Sequence, residues 1–248
     1  MKSLISLTVL ATFVVGACTA AATPSAAPAT PAAAEALDGA AASTPAPPAS
    51  SFRLVTVGGS FTYGPNVQRR DTWPRQLERM LRPVVPLELV TNLGQITKTS
   101  QDVLDEQLPI IESYQPDIIT LQIGANDVVN RIVTMDDYRA NVGAILDGLL
   151  AIVPARRVLV VTTPDFTLTW GTRLTTRSEH VAEANEIIEQ AAADRGIEVI
   201  DISLISGRVH DDASLIHRNG LDPSEKQYAG WVELIAPRVR AALAEARP

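Results

Sequence analysis

From residue 51 onward the chain alternates two hydrophobic patterns. Short apolar runs rich in Val, Ile and Leu fall at 53–57, 87–90, 118–123, 158–161 and 197–202. Between them lie stretches at 73–81, 100–113, 135–152, 178–195 and 224–244 whose apolar residues recur at helical spacing. Hydrophobicity that is continuous, not alternating, is what a strand covered on both faces requires. Five such strands separated by helices predict an α/β domain: a parallel five-stranded sheet with helices on both faces. Local signals agree with this layout. Ser178 is placed to cap the fourth helix, Ser224 with Gln227 forms a capping-box pattern for the last, and Gly196 stands where a helix should stop. Pro237 is expected to kink the last helix.

The first 50 residues read differently. Residues 1–17 place Lys2 before an apolar run from Leu4 to Val15, then Gly16 and Ala17. That is the pattern of a secretory signal, and the run is too short to span a bilayer. Cys18 is the only cysteine, so no intrachain disulfide can form, and its position after Val15-Gly16-Ala17 is that of a bacterial lipobox. Residues 18–50 are dominated by Ala, Pro, Ser and Thr, with too few large apolar groups to offset chain entropy. The expectation is a lipoprotein signal peptide (1–17), a flexible tether (18–50) joined to the membrane through a lipid on Cys18, and one folded domain (51–248). Such a protein would be exported and held at the bacterial cell envelope.

Composition narrows the partners. The 248 residues are 46% apolar, enough for one sizeable core, and the formal net charge is -7. An acidic chain without a Lys/Arg cluster lacks the footprint for nucleic acid. There is no metal-binding His or Cys pattern, and the first glycine-rich turn matches neither a phosphate loop nor a dinucleotide fingerprint, so neither metal nor cofactor is expected. A monomer is compatible with this surface.

Four segments carry candidate chemistry. The first strand runs into Gly58-Gly59-Ser60-Phe61-Thr62-Tyr63-Gly64, which brings Ser60 to the carboxyl edge of the sheet, where open parallel sheets bind ligands. Ser60 there is either a nucleophile or a plain helix cap. The second strand is followed by Asn92-Leu93-Gly94-Gln95-Ile96-Thr97-Lys98-Thr99-Ser100, a binding loop or an ordinary capping loop. The third ends in Gly124-Ala125-Asn126-Asp127, and an Asn amide at a strand terminus can donate to a developing oxyanion or simply make a turn. The last segment is Asn219-Gly220-Leu221-Asp222-Pro223-Ser224.

In this order the four segments resemble the conserved blocks of the SGNH hydrolases, the GDSL-type esterases and lipases. The first resembles Gly-Asp-Ser-Leu-Thr-x-Gly, with Gly59 in place of the block's Asp. The second resembles Asn-x-Gly-x-Ser-Gly-x-Thr, with Ile96 for its Ser and Thr97 for its second Gly. The third matches Gly-x-Asn-Asp without a departure. The fourth resembles Asp-Gly-Leu-His-Pro-Ser, with Asn219 where the family's Asp orients the imidazole and Asp222 where the His accepts the serine proton. The resemblance implies a three-layer, flavodoxin-like doubly wound fold and ester hydrolysis or acyl transfer on a small-molecule, glycan or lipid ester. It assigns Ser60 as nucleophile and the Thr97 N–H, the Ser60 N–H and Asn126 as oxyanion donors.

It also makes the loss of Asp and His the central feature. An Asp is a weak base, with a reference pKa about 2.6 units below that of His, and it puts negative charge near the oxyanion. Two outcomes follow: weakened catalysis, or a catalytically inactive relative that binds an acylated or glycan ligand. A shifted base is also conceivable, because His217 lies on the same loop as Asp222 with Asp211 and Asp212 just upstream. His210 reads as a solvated loop residue and His180 as packed or surface-lying. Phe166 and Trp170 either wall a ligand pocket or pack in the core.

Overall fold

The computed structural model describes residues 51–170 and 173–244. The expected signal peptide, Cys18 and the tether lie outside the described residues. Five parallel strands form one sheet: β1 (Phe52–Gly58), β2 (Leu87–Asn92), β3 (Ile118–Gln122), β4 (Val158–Val161) and β5 (Glu198–Ile200), in the order β2-β1-β3-β4-β5. This is the doubly wound, flavodoxin-like order expected. β1 pairs with both β2 (Thr56 beside Asn92) and β3 (Gly58 beside Gln122). The chain therefore steps outward in opposite directions from β1 and from β3. Right-handed crossovers in opposite directions put their helices on opposite faces, and the carboxyl ends of β1 and β3 flank the crevice between.

Packing follows from the strand pattern. Leu54, Val55, Val57, Ile118, Ile119, Leu121, Val158, Leu159, Val160 and Val161 have no exposed surface, so consecutive residues on both faces are covered. Each such side chain contributes roughly 1.5–3 kcal/mol. Trp73–Leu81 packs with Glu225–Ala244, and Met135–Ile152 packs with Ser178–Ala193.

Some local expectations are corrected. Ser178 does not cap its helix; the N-cap is Arg177 in extended conformation, whose N–H donates to His180 Nδ1, while Ser178 Oγ lies 2.9 Å from Thr167 Oγ1. Ser224 does cap, accepting from the Gln227 N–H at 3.2 Å, but its own N–H goes to the Leu215 carbonyl. Gly196 ends its helix with φ +65°, and Pro237 lies inside Glu225–Ala244 without ending it. The stretch 100–113 is not one regular helix. Val103–Gln107 is a π-turn, closed by the Leu108 N–H on the Val103 carbonyl five residues back. Pro109 accounts for it, since its ring clashes with the carbonyl four residues earlier and offers no N–H.

Candidate active site

The site begins where β1 turns. Gly58 has φ +147°, and a Cβ there would sit 2.1 Å from the Gln122 carbonyl oxygen, so only glycine lets the turn close against β3. The π-turn delivers the buried Gln107 side chain, whose Oε1 accepts from the Gly58 N–H at 3.0 Å and whose Nε2 donates to the Gly58 carbonyl at 2.9 Å. The Gly59 N–H adds a bond to the Gln122 carbonyl at 3.2 Å. The turn is thus ordered without the carboxylate that Gly59 lacks. Gly59 is the N-cap of the short Ser60–Tyr63 helix, so Ser60 is its first residue and not its cap.

Ser60 Oγ accepts two hydrogen bonds, from the Thr97 N–H at 3.1 Å and from Asn126 Nδ2 at 3.2 Å. The second amide hydrogen of Asn126 goes to the Lys98 carbonyl at 2.9 Å, which ties β3's end to the loop carrying Thr97. Thr97 has φ +67°, a conformation costly for a β-branched residue. The surrounding loop holds it there. Asp127, fully buried, accepts the Ser100 N–H at 2.8 Å, and Lys98 Nζ bridges Asp102 at 3.2 Å and Glu106 at 2.7 Å. Burial raises the Asp127 carboxyl above its ordinary value, the Ser100 donors opposing it in part, and Asp127 Oδ2 has no partner.

Across the crevice stands Asp222. Its Oδ2 accepts from Asn66 Nδ2 and from Asn219 Nδ2, each at 2.6 Å, while Asn219 Oδ1 takes the N–H groups of Leu221 and Asp222 at 3.0 and 3.2 Å. Asp222 Oδ1 makes no hydrogen bond to any described residue and is not one of the buried side-chain atoms lacking a partner. The loop is pinned from outside: Trp170 Nε1 and Thr169 Oγ1 both donate to the Leu221 carbonyl at 2.9 Å. Ser60, Phe61, Asn126, Phe166, Trp170 and Asp222 line one cavity of about 240 Å³. A cavity of about 340 Å³ beside β2, lined by Tyr63, Arg69 and Arg75, shares no lining residue with it. Beneath Asp222, burial and then its negative charge push the Tyr228 hydroxyl far above the ordinary phenol range.

The sequence-predicted residues therefore separate into two groups. Ser60, Thr97 and Asn126 meet at one point, where two N–H donors about 3 Å away can hold a negatively charged oxygen. Asn219 and Asp222 meet each other across the cavity, and no hydrogen bond links Asp222 to Ser60 among the described residues. No histidine side chain hydrogen-bonds to Ser60 among the described residues. His217 Nδ1 faces the Asn219 N–H at 3.3 Å, and the imidazole is absent from the cavity lining. Asp212 is engaged elsewhere, held down to about 2 by Lys226 and by the Ser214 it caps. His210 is exposed at the end of a 3-10 turn, and His180 caps a helix with its Nε2 at 3.0 Å from Arg131 Nη2. Phe166 and Trp170 do both jobs proposed for them: Phe166 is buried and packs against Trp170 with ring centroids 5.5 Å apart at a 57° tilt, and both line the cavity. Among the described residues there is no group of three His, Cys, Asp or Glu placed to hold a metal ion.

The sequence profile of the GDSL-like lipase/acylhydrolase family matches residues 56–231, from inside β1 to the last helix and across all four segments. The chain belongs to this family. A multidomain esterase from Ruminococcus flavefaciens is 32% identical over 136 residues, a match that covers 53% of this chain and 17% of that protein. The chain thus spans only a small part of that relative. Among solved structures, a variant acetyl xylan esterase from Geobacillus stearothermophilus superposes with a TM-score of 0.63 at 14% identity, covering 77% of this chain and 95% of the other. A lipase/acylhydrolase from Enterococcus faecalis does so with a TM-score of 0.61 at 20% identity, covering 77% and 96%. These likenesses bear on the fold.

Within this GDSL-like hydrolase domain two residues outside the family blocks shape the site, and neither is singled out by its sequence context. Asn66 reaches Asp222 from a loop at φ +64°, and Gln107 reaches Gly58 from the π-turn. The only signal available was indirect: Pro109 inside a helical pattern foretells an irregularity nearby.

Proposed function

We propose that this GDSL-like hydrolase domain acts on an acyl ester through Ser60. The observation that carries the reading is the convergence of the Thr97 N–H and Asn126 Nδ2 on Ser60 Oγ inside the cavity. In this mechanism Ser60 Oγ forms a bond to the ester carbonyl carbon, the carbonyl electron pair moves to its oxygen, and that oxygen takes over the two donors, joined by the Ser60 N–H. The serine proton leaves toward the free Oδ1 of Asp222 or to water. Collapse expels the alkoxide and leaves an acyl-Ser60, which water hydrolyses or a second alcohol accepts. Such donors are worth roughly 3–4 kcal/mol each in acyl transfer. Without an imidazole, the remaining acceleration is about 1,000- to 10,000-fold over water, as in triad deletions.

A second reading has its own observation. Asp222 Oδ2 is saturated by two amides and Ser60 Oγ occupies the very donors an oxyanion would need. That arrangement suits a catalytically inactive domain that holds an acylated or glycan ligand. Hydrolysis of a short-chain nitrophenyl ester by the purified protein and by Ser60→Ala separates the two. Catalysis predicts wild-type rates well above the variant; equal rates leave the binding reading. We further propose that Cys18 carries a lipid and that the domain works as a monomer outside the cytoplasm. The support is the sequence of residues 1–50 for the anchor and, for the monomer, the net charge of -7. Labelling with a palmitate analogue that is equal in wild type and Cys18→Ser would refute the anchor.

A further inference from the structure

We infer that the cavity beside Ser60 selects a ligand bearing a small, weakly hydrated organic cation, a quaternary ammonium head group on the acyl ester or acylated ligand. This rests on the reading above only in taking that cavity as the ligand site. Among the described residues lining it, Asp222 is the only one that carries an acidic or basic side chain. Its two hydrogen-bond donors are neutral amides, and no Lys, Arg or His among the described residues pairs with it. An unneutralised carboxylate is therefore built into the wall. The Asn66 and Asn219 amides fix Oδ2, so the carboxylate cannot swing out, and Oδ1 is left free.

Aromatic side chains share this lining. Phe61 and Phe166 lie 6.2 Å apart, Phe166 and Trp170 5.5 Å apart, and all three line the cavity. The indole N–H of Trp170 is bound to the carbonyl of Leu221, the residue preceding Asp222, so ring and carboxylate are held together. Phe61 and Phe166 are almost wholly buried and Trp170 is half-buried, so Trp170 is the ring best placed to meet a ligand. An aromatic ring and a carboxylate both attract a cation and disfavour an anion. A primary ammonium would forfeit strong hydration with few acceptors to replace it, whereas a quaternary ammonium has little to lose. At about 240 Å³ the cavity is smaller than the roughly 300–1,000 Å³ typical of drug-sized ligands, which fits a small head group. The net charge of -7 favours approach of a cation. Replacing His by Asp at position 222 thus changes the ligand charge that the cavity prefers as well as the base.

Calorimetric titration of the full chain with choline and with its neutral isostere 3,3-dimethylbutan-1-ol tests this, in wild type, Asp222→Asn, Trp170→Leu and Ser60→Ala. Choline is expected to bind wild type about tenfold or more tightly than the isostere, and the preference should vanish in Asp222→Asn, shrink severalfold in Trp170→Leu and persist in Ser60→Ala. Equal affinities in wild type, no binding of choline, or a preference that survives Asp222→Asn overturns the inference. Should Asp222→Asn fail to fold, wild type alone decides: tetramethylammonium chloride should displace choline at concentrations where sodium chloride of equal ionic strength does not. Equal displacement by the two salts refutes it. Loss of the hydrolytic reading would show in Ser60→Ala hydrolysing the ester as fast as wild type, with the cation preference unaffected.

Discussion

Asn66 Nδ2 donates to Asp222 Oδ2 at 2.6 Å, joining residues 156 positions apart. With Asn219 it makes Asp222 the acceptor of two amide donors on one oxygen, so the position that would hold a proton-transferring imidazole is instead a fixed negative charge. The substitutions at 219 and 222 act as a pair with Asn66, not as isolated losses.

Asn66→Gly tests that clamp, because glycine keeps the backbone at φ +64° and removes only the amide. Leaving a buried carboxylate with one donor fewer should cost about 1–3 kcal/mol in denaturant unfolding. Unchanged stability would mean the bond contributes nothing.

Asp127 sets a pH dependence. Burial holds its carboxyl above the ordinary 3.8. A carboxyl raised in the folded state binds its proton more tightly there than in the unfolded chain, so this group costs stability as pH rises from 3.8 through the folded value, and the full cost remains above it. Asp127→Asn removes that dependence. Its stability relative to wild type should climb as pH is raised from 3.8 through the raised folded-state value, then level off. A difference that stays constant across that range contradicts the assignment.

Gly59→Asp restores the family residue without its setting. A Cβ at Gly59 would lie 3.0 Å from the Lys98 carbonyl and 3.1 Å from Asn126 Nδ2, both part of the donor arrangement. The variant should lose about 1–3 kcal/mol, read by thermal unfolding, because the strand end and the loop must part. A gain in stability would show that the crevice yields freely.

Thr97→Gly relieves a strained backbone. The positive φ costs a β-branched residue of order 1–3 kcal/mol, against about 0.5–1 kcal/mol of added chain entropy for glycine. A rise of about 1 kcal/mol in unfolding free energy is expected. A fall would mean that the Thr97 side chain contributes contacts outweighing its strain.

How much of this was legible depended on whether the cause was local. Val158–Val161, Trp73–Leu81 and Met135–Ile152 fall where the hydrophobic pattern put them, since burial on one or both faces leaves a periodic trace. Strand ends shifted by a residue or two, as at Glu198–Ile200, because pairing partners and not hydrophobicity end a ladder. Ser178 looked like a cap but lost the role to the extended backbone of Arg177 and the His180 ring. Ser60, Thr97 and Asn126 were recognisable from their blocks. Asn66 and Gln107 were not, because each meets its partner only through the fold, and neither type announces itself in a polar loop or a helical pattern.

The central claim is that the charge-stabilising half of an acyl-transfer site stands in place while the proton-transfer half is missing. Hydrolysis of a short-chain nitrophenyl ester by the double variant Asn219→Asp with Asp222→His, compared with wild type and with the same double variant carrying Ser60→Ala, tests it most directly. The account predicts a gain of roughly 100-fold or more, the usual worth of a positioned general base, and its complete loss without Ser60. No gain, or a gain that survives Ser60→Ala, would contradict it.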